Sequence, residues 1–101
     1  MRVLVVGAGG VGAAIASIAA RRSFFESLVV ADLDAARADR AAIRARDPRI
    51  SSARVDASDT ADVVELATAC RADVVVNACD PRFNPPLFDA AFATECDYLD
   101  M

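Results

Sequence analysis

Histidine and lysine are both absent from this chain of 101 residues, and glycine and cysteine are scarce: four glycines, all between positions 7 and 12, and three cysteines. Without histidine there is no mixed cysteine–histidine zinc site, and Cys70, Cys79 and Cys96 have no CxxC spacing. They are odd in number, far apart and set in apolar surroundings. They therefore read as reduced core thiols of a cytoplasmic protein, with no metal. Net charge is −4, all eleven basic residues are arginines, and no basic cluster stands out. That balance argues against a nucleic-acid or anionic-membrane surface and leaves open a ligand phosphate at a helix N-terminus. The length allows one domain with one core and leaves no room for a second. The nearly apolar run Val3 to Ala20 invites comparison with a signal peptide or membrane span. The four glycines interrupt it and only one arginine precedes it, so a strand beginning at residue 3 fits better.

What is present is an alternation of apolar strand-like and helix-like segments, with no repeat, linker or low-complexity tract. Residues 3–6, 27–32, 51–55, 73–78 and the pair Tyr98-Leu99 read as strands. Residues 10–22 read as a helix apolar nearly all round, and hence buried. Asp34 caps a second helix that runs to about Arg46, with Ala35, Ala38, Ala42 and Ala45 on one face and Pro48 as its stop. Asp59 caps a third over residues 60–70. Asn84, followed by Pro85, caps a fourth that runs to about Glu95. Continuous apolar strands separated by helices imply a parallel sheet covered on both faces. The expected fold is a single α/β domain, a Rossmann-type doubly wound parallel sheet of about five strands in the order 3-2-1-4-5.

The chemistry-bearing motif is Gly7-Ala8-Gly9-Gly10-Val11-Gly12, placed between the first strand and the first helix. Gly7 permits the tight turn, Gly9 leaves space for a pyrophosphate, and Gly12 lets the helix pack closely. The helix N-terminus offers its free amides to the phosphates. Asp32 follows Gly12 by twenty residues and ends the second strand, where a carboxylate accepts hydrogen bonds from the adenosine ribose. Its charge would repel a 2′-phosphate, favouring NAD over NADP; the alternative role is a turn or cap beside Asp34. Arg37 lies one helical turn further on, either to hold a 2′-phosphate or as a solvated helix residue. Asp56-Ala57 follows the third strand, beside the adenine position, and Asp56 either bonds the adenine amine or shares a helix cap with Ser58 and Asp59. Asn77-Ala78 ends the fourth strand at the topological switch point, where the buried amide finds partners in the cofactor ribose or in the loop backbone.

The segments Val3 to Gly12, Val30-Ala31-Asp32-Leu33-Asp34, Val55-Asp56-Ala57, Asn77, and Pro85-Pro86-Leu87-Phe88-Asp89-Ala90-Ala91 with Tyr98-Leu99-Asp100 together resemble one family. It is the N-terminal domain of saccharopine dehydrogenase-like oxidoreductases, which include carboxynorspermidine synthases. The resemblance covers essentially the whole chain, and its second half is the specific part. It implies a nicotinamide cofactor and the formation or oxidation of a secondary amine joining an amino acid to a carbonyl compound. It also implies that Gly7, Gly9, Gly10 and Val11 meet the pyrophosphate, and that Asn77, Ala78 and Cys79 line the path to the nicotinamide. Arg82 and Phe83 then face cofactor and substrate from the following loop, or else serve as a solvated charge and a lid over the core.

Family enzymes continue into a substrate domain, so the chain is expected to be the N-terminal cofactor-binding part (1–101) of a longer enzyme, inactive alone. No catalytic residue is assigned: Asp80, Asp89, Asp97 and Asp100 have surface or capping roles available. A sheet of five strands leaves an edge open to homo-oligomerisation. A second functional class is a stand-alone NAD-sensing module of the kind that regulates potassium uptake. Those modules carry a glycine before the aspartate where this chain has Val55.

Overall fold

A computed structural model describes residues 1–100. Branched residues at consecutive positions bury both faces of the central strand. Val3 and Val5 of β1 (Arg2–Val6) enter one layer of the core, and Leu4 and Val6 the other. The chain continues through α1 (Gly10–Ala19), β2 (Ser27–Asp32), α2 (Ala35–Ala45), β3 (Ile50–Arg54), α3 (Thr60–Ala69), β4 (Val74–Asn77), a 3₁₀ turn (Pro81–Phe83), α4 (Asn84–Ala93) and β5 (Asp97–Asp100). All strands run parallel in the expected order β3-β2-β1-β4-β5. Helices α1 and α2 cover one face through Ala16, Ala19, Ala38, Ala41 and Ala45. Helices α3 and α4 cover the other through Val63, Ala67, Leu87, Ala90 and Ala91. Small side chains on every helix let the backbones approach the sheet closely.

The register sets up the site. Val6 lies between Ala31 of β2 and Asn77 of β4, so three strands end side by side. Strand order reverses between β1 and β4, which opens a crevice at their carboxyl ends.

Three expectations need correction. α1 is not buried all round: Gly12, Ala16 and Ala19 face inward, while Val11 and Ile18 are 48% and 59% exposed, because only one stripe of the helix meets the sheet and α2. On α2, Ala35 is exposed and Ala41 takes the buried position, with Ala42 half-buried beside it. The end of α2 falls where expected, with Arg46 as its C-cap in the left-handed conformation ahead of Pro48. Asn84 is not a cap. The 3₁₀ turn that Asp80 caps runs straight into α4, so Asn84 is already helical and its side chain turns inward to accept from the Tyr98 hydroxyl at 2.9 Å.

Candidate nucleotide-binding site

The turn out of β1 has a φ of +111° at Gly7, and a Cβ there would lie 2.9 Å from the Ala78 carbonyl carbon. Gly12 is more constrained, because its Cβ would sit 1.6 Å from the Gly7 carbonyl oxygen. These two glycines let α1 and the loop after β4 close on the turn. Gly9 and Gly10 differ: a Cβ on either would meet nothing within 4 Å. Gly9 is also the N-cap of α1 and supplies no side-chain bond, whereas Asp34 and Asp59 cap α2 and α3. The first i→i−4 bond of α1 runs from the Ala13 amide to the Gly9 carbonyl at 2.9 Å. The amides of Gly10, Val11 and Gly12 precede it and have no intrahelical acceptor, which leaves a positive, open helix end.

Asp32 closes the other side. One carboxylate oxygen accepts from the Ala8 amide and the other from the Asp34 amide, both at 2.9 Å. The Arg37 guanidinium lies 3.9 Å from the first oxygen, and the Asp32 side chain is 13% exposed. The carboxylate is therefore fixed to the glycine turn while keeping lone pairs for further donors. Capping of α2 falls to Asp34 alone.

A cavity of about 230 Å³ opens beside it, lined by Val6, Gly7, Asp32, Leu33, Arg37, Val55, Asp56, Ala57, Cys79 and Phe83. Apolar walls from Leu33, Val55, Ala57 and Phe83 suit a flat heterocycle, with Asp32 and Asp56 at the rim. Asp56 accepts from both the amide and the hydroxyl of Ser58, which holds its carboxyl below the usual carboxylate range. Burial, and then the charge of Asp32, push the Cys79 thiol upward. All three cysteines are half-buried rather than core residues, and Cys79 is the one the fold brings to this cavity.

Asn77 is 1% exposed, and its amide is spent on the loop that follows. Its oxygen accepts from the Cys79 amide at 2.9 Å, and its nitrogen donates to Asn84 and to the Asp80 carbonyl. Of the two partners open to it, the structure shows loop and side-chain groups. Ala78 donates to the Val6 carbonyl at 2.8 Å and backs Gly7. Arg82 is exposed, with its guanidinium 4.9 Å from the Phe83 ring centre, and it lines neither cavity of the site.

A second cavity, of about 270 Å³, lies between α1 and α2 and is lined by Ala8, Gly9, Gly10, Ala13, Arg37, Arg40, Ala41 and Arg44. The basic cluster that composition did not reveal is made by the helix, where positions three and four apart share a face. Leu33, Val55, Arg40 and Arg44 are site-lining residues that motif reading passed over. The helical spacing of the arginines was the available signal.

A family model described as the saccharopine dehydrogenase NADP binding domain matches residues 3–101. The chain is 33% identical over 99 residues to carboxyaminopropylagmatine dehydrogenase of Synechocystis, covering 98% of this chain and 25% of that protein. It is 26% identical over 109 residues to carboxynorspermidine synthase of Vibrio cholerae, covering 99% and 26%. Saccharopine dehydrogenase (L-Glu forming) of Saccharomyces cerevisiae superposes with a TM-score of 0.83 at 21% identity, over 98% of this chain and 21% of that one. The chain thus spans about a quarter of the length of the relatives it matches. Among the described residues, no helix is long and apolar enough to cross a membrane.

Proposed function

The chain belongs to the saccharopine dehydrogenase NADP-binding domain family, and from that premise we propose that it is the cofactor-binding domain of an oxidoreductase that forms or oxidises the C–N bond of an amino-acid-derived secondary amine. The observation that carries the cofactor reading is the pairing of an open, uncapped α1 N-terminus at Gly9 with a ribose-side carboxylate anchored to the same turn through Ala8. Gly9, Gly10 and Val11 receive the pyrophosphate on backbone amides, and Asp32 accepts from the adenosine ribose. The adenine enters between Leu33, Val55 and Ala57, with Asp56 at the rim. Ala78 and Cys79, held by Asn77, direct the other end towards the crevice beside β4. The bound nicotinamide supplies the hydride chemistry.

Relatives about four times as long support a substrate domain elsewhere in the same polypeptide, which would supply the proton-transferring groups. Exposed Phe88, Phe92 and Leu99 beside β5 are the surface on which it packs. Asp32 by its charge favours NAD, while Arg37, whose guanidinium lies 3.9 Å from that carboxylate, is the residue placed to hold a 2′-phosphate.

The test is a thermal melt of the 101-residue chain with NAD or NADP at millimolar concentration. Binding near saturation, at about 100 times Kd, adds about 2.7 kcal/mol to the folded state and raises Tm by about 10 °C or more. An unchanged melt with both dinucleotides defeats the cofactor reading. The full reading frame tests the rest: amine-dependent reduction of the cofactor is expected from the longer protein and absent from this chain alone.

A further inference from the structure

Asn77 is the one fully buried polar residue among the described residues, and its amide is the middle of a chain of hydrogen bonds that begins on β5. The Tyr98 hydroxyl donates to the Asn84 side-chain oxygen at 2.9 Å, and the Asn77 nitrogen donates to that same oxygen. The Asn77 oxygen then accepts both the amide and the thiol of Cys79, each at 2.9 Å. Three elements meet here: Asn77 ends β4, Asn84 opens α4, and Tyr98 lies on β5 beside Val75. Leu4, Val6, Val75, Leu87 and Ala91 make up the surrounding layer, so Asn77 has no water to turn to. Donors and acceptors permit one direction only. Reversal of Asn77 would set its NH₂ against the Cys79 N–H, and reversal of Asn84 would set its NH₂ against that of Asn77. Cys79 in turn lines the cavity that holds Asp32 and Asp56, and Ala78 beside it backs Gly7.

We infer that Asn84 and Tyr98 are positioning residues for the nicotinamide half of the bound dinucleotide. Neither lines the cavities of the site; both act through Asn77, by fixing the Ala78-Cys79 loop against which that half lies. The inference rests on the cofactor reading above and adds two residues which that reading leaves unused. The adenosine half is held elsewhere, by Asp32 and the glycine turn, and does not draw on this chain of bonds. Loss of the Tyr98 hydroxyl releases one lone pair of the Asn84 oxygen and lets its amide turn. Asn77 and the Cys79 peptide are then free to sample other directions. The Tyr98 ring has a separate contact, edge-on to Phe88 at 5.7 Å and 90°, which survives removal of the hydroxyl. Folding and positioning are therefore separable at one atom.

Isothermal titration of the 101-residue chain tests it, with NAD⁺ set beside 5′-ADP and NADP⁺ beside 2′,5′-ADP, each dinucleotide against its adenosine half. Tyr98→Phe is expected to keep the fold by circular dichroism and to bind the dinucleotides about three- to tenfold more weakly, the range of one hydrogen bond. Its affinity for the two ADP probes should stay within about twofold of the wild type. Amide hydrogen exchange at Cys79 should accelerate by a similar factor, whereas exchange at Ala8, bonded to Asp32 on the adenosine side, should not change. Asn84→Ala should show the same pattern with a loss of at least about tenfold. In Asn84→Asp a carboxylate oxygen accepts from the same two donors, and dinucleotide affinity should return to within about twofold of the wild type. Wild-type dinucleotide affinity in Tyr98→Phe overturns the inference. So does an equal loss for dinucleotides and ADP probes, or faster exchange at Cys79 and Ala8 alike, because the bonds then serve the fold as a whole. The cofactor reading stands in those cases. Binding of neither dinucleotide by the wild-type chain defeats the cofactor reading, and this inference with it.

Discussion

The Asp32 carboxylate accepts a hydrogen bond from the Ala8 amide at 2.9 Å, joining the end of β2 to the glycine turn after β1. Ala8 is 4% exposed, so its amide has no ready access to water. One side chain thus has two duties: it shapes the phosphate loop and offers lone pairs to the ribose.

Replacement of Asp32 by alanine is accordingly expected to act on both. The orphaned Ala8 amide costs about 1–3 kcal/mol of stability, read by urea denaturation. Dinucleotide affinity falls at least about tenfold by titration, the effect of one charge-assisted contact. Unchanged stability in Asp32→Ala would show that the Ala8 bond contributes nothing to the loop.

The glycines separate folding from binding. Gly12→Ala places a Cβ 1.6 Å from a backbone oxygen that no rotamer can move, so a loss of about 3 kcal/mol or more is expected, at or beyond the usual range for overpacking. Gly9→Ala meets nothing within 4 Å and keeps a backbone conformation open to any residue (φ −73°), so stability should change by less than about 0.5 kcal/mol. Its new methyl group instead projects into the space assigned to the pyrophosphate, and dinucleotide affinity drops sharply. Normal binding by Gly9→Ala would move the phosphates away from this turn.

The sequence makes the sheet legible because β1, β2 and β4 are short apolar runs bounded by polar turns, and the Gly7-to-Asp32 spacing marks their connection. Less legible is what depends on the register of a helix against its neighbours. Ala35 and Ala41 differ in burial by their position relative to β2 and β3, which periodicity alone cannot fix. Asn84 before Pro85 carries a capping signature, but the 3₁₀ turn upstream makes it helical and leaves its amide free to hold Asn77 and Tyr98. Arg37, Arg40 and Arg44 look dispersed in sequence and converge only once α2 is wound.

Glycine's confinement to residues 7–12 has a cost elsewhere. Arg46, Arg71 and Glu95 follow the ends of α2, α3 and α4 with φ of 54°, 54° and 58°, the left-handed region where glycine is the usual occupant. That conformation costs an L-residue about 1–2 kcal/mol, partly offset by the greater unfolded-state freedom of glycine. Each of Arg46→Gly, Arg71→Gly and Glu95→Gly is expected to stabilise the fold by up to about 1 kcal/mol in chemical denaturation. Destabilisation of all three would mean that the side chains contribute more than the backbone strain they impose.

Cys79 reports on the site directly. It lines the cavity with Asp32, Asp56 and Phe83, its amide donates to the Asn77 oxygen, and its thiol lies 2.9 Å from that same oxygen. Burial first, and the Asp32 charge second, raise the thiol above its ordinary value of 9.0. The thiolate is the reactive form, so alkylation by iodoacetamide at neutral pH should be slower than for an unhindered thiol, and its rate should go on rising to higher pH before it levels off. In Asp32→Asn the second cause is removed, and the reactivity profile should shift towards lower pH. A bound dinucleotide covers the cavity and should suppress modification of Cys79 while leaving Cys70 and Cys96 unaffected, since neither lines it. Mass spectrometry of the three cysteines, with and without dinucleotide, gives the comparison. Equal protection of all three would point to global stabilisation, and no protection at Cys79 would place the bound molecule elsewhere.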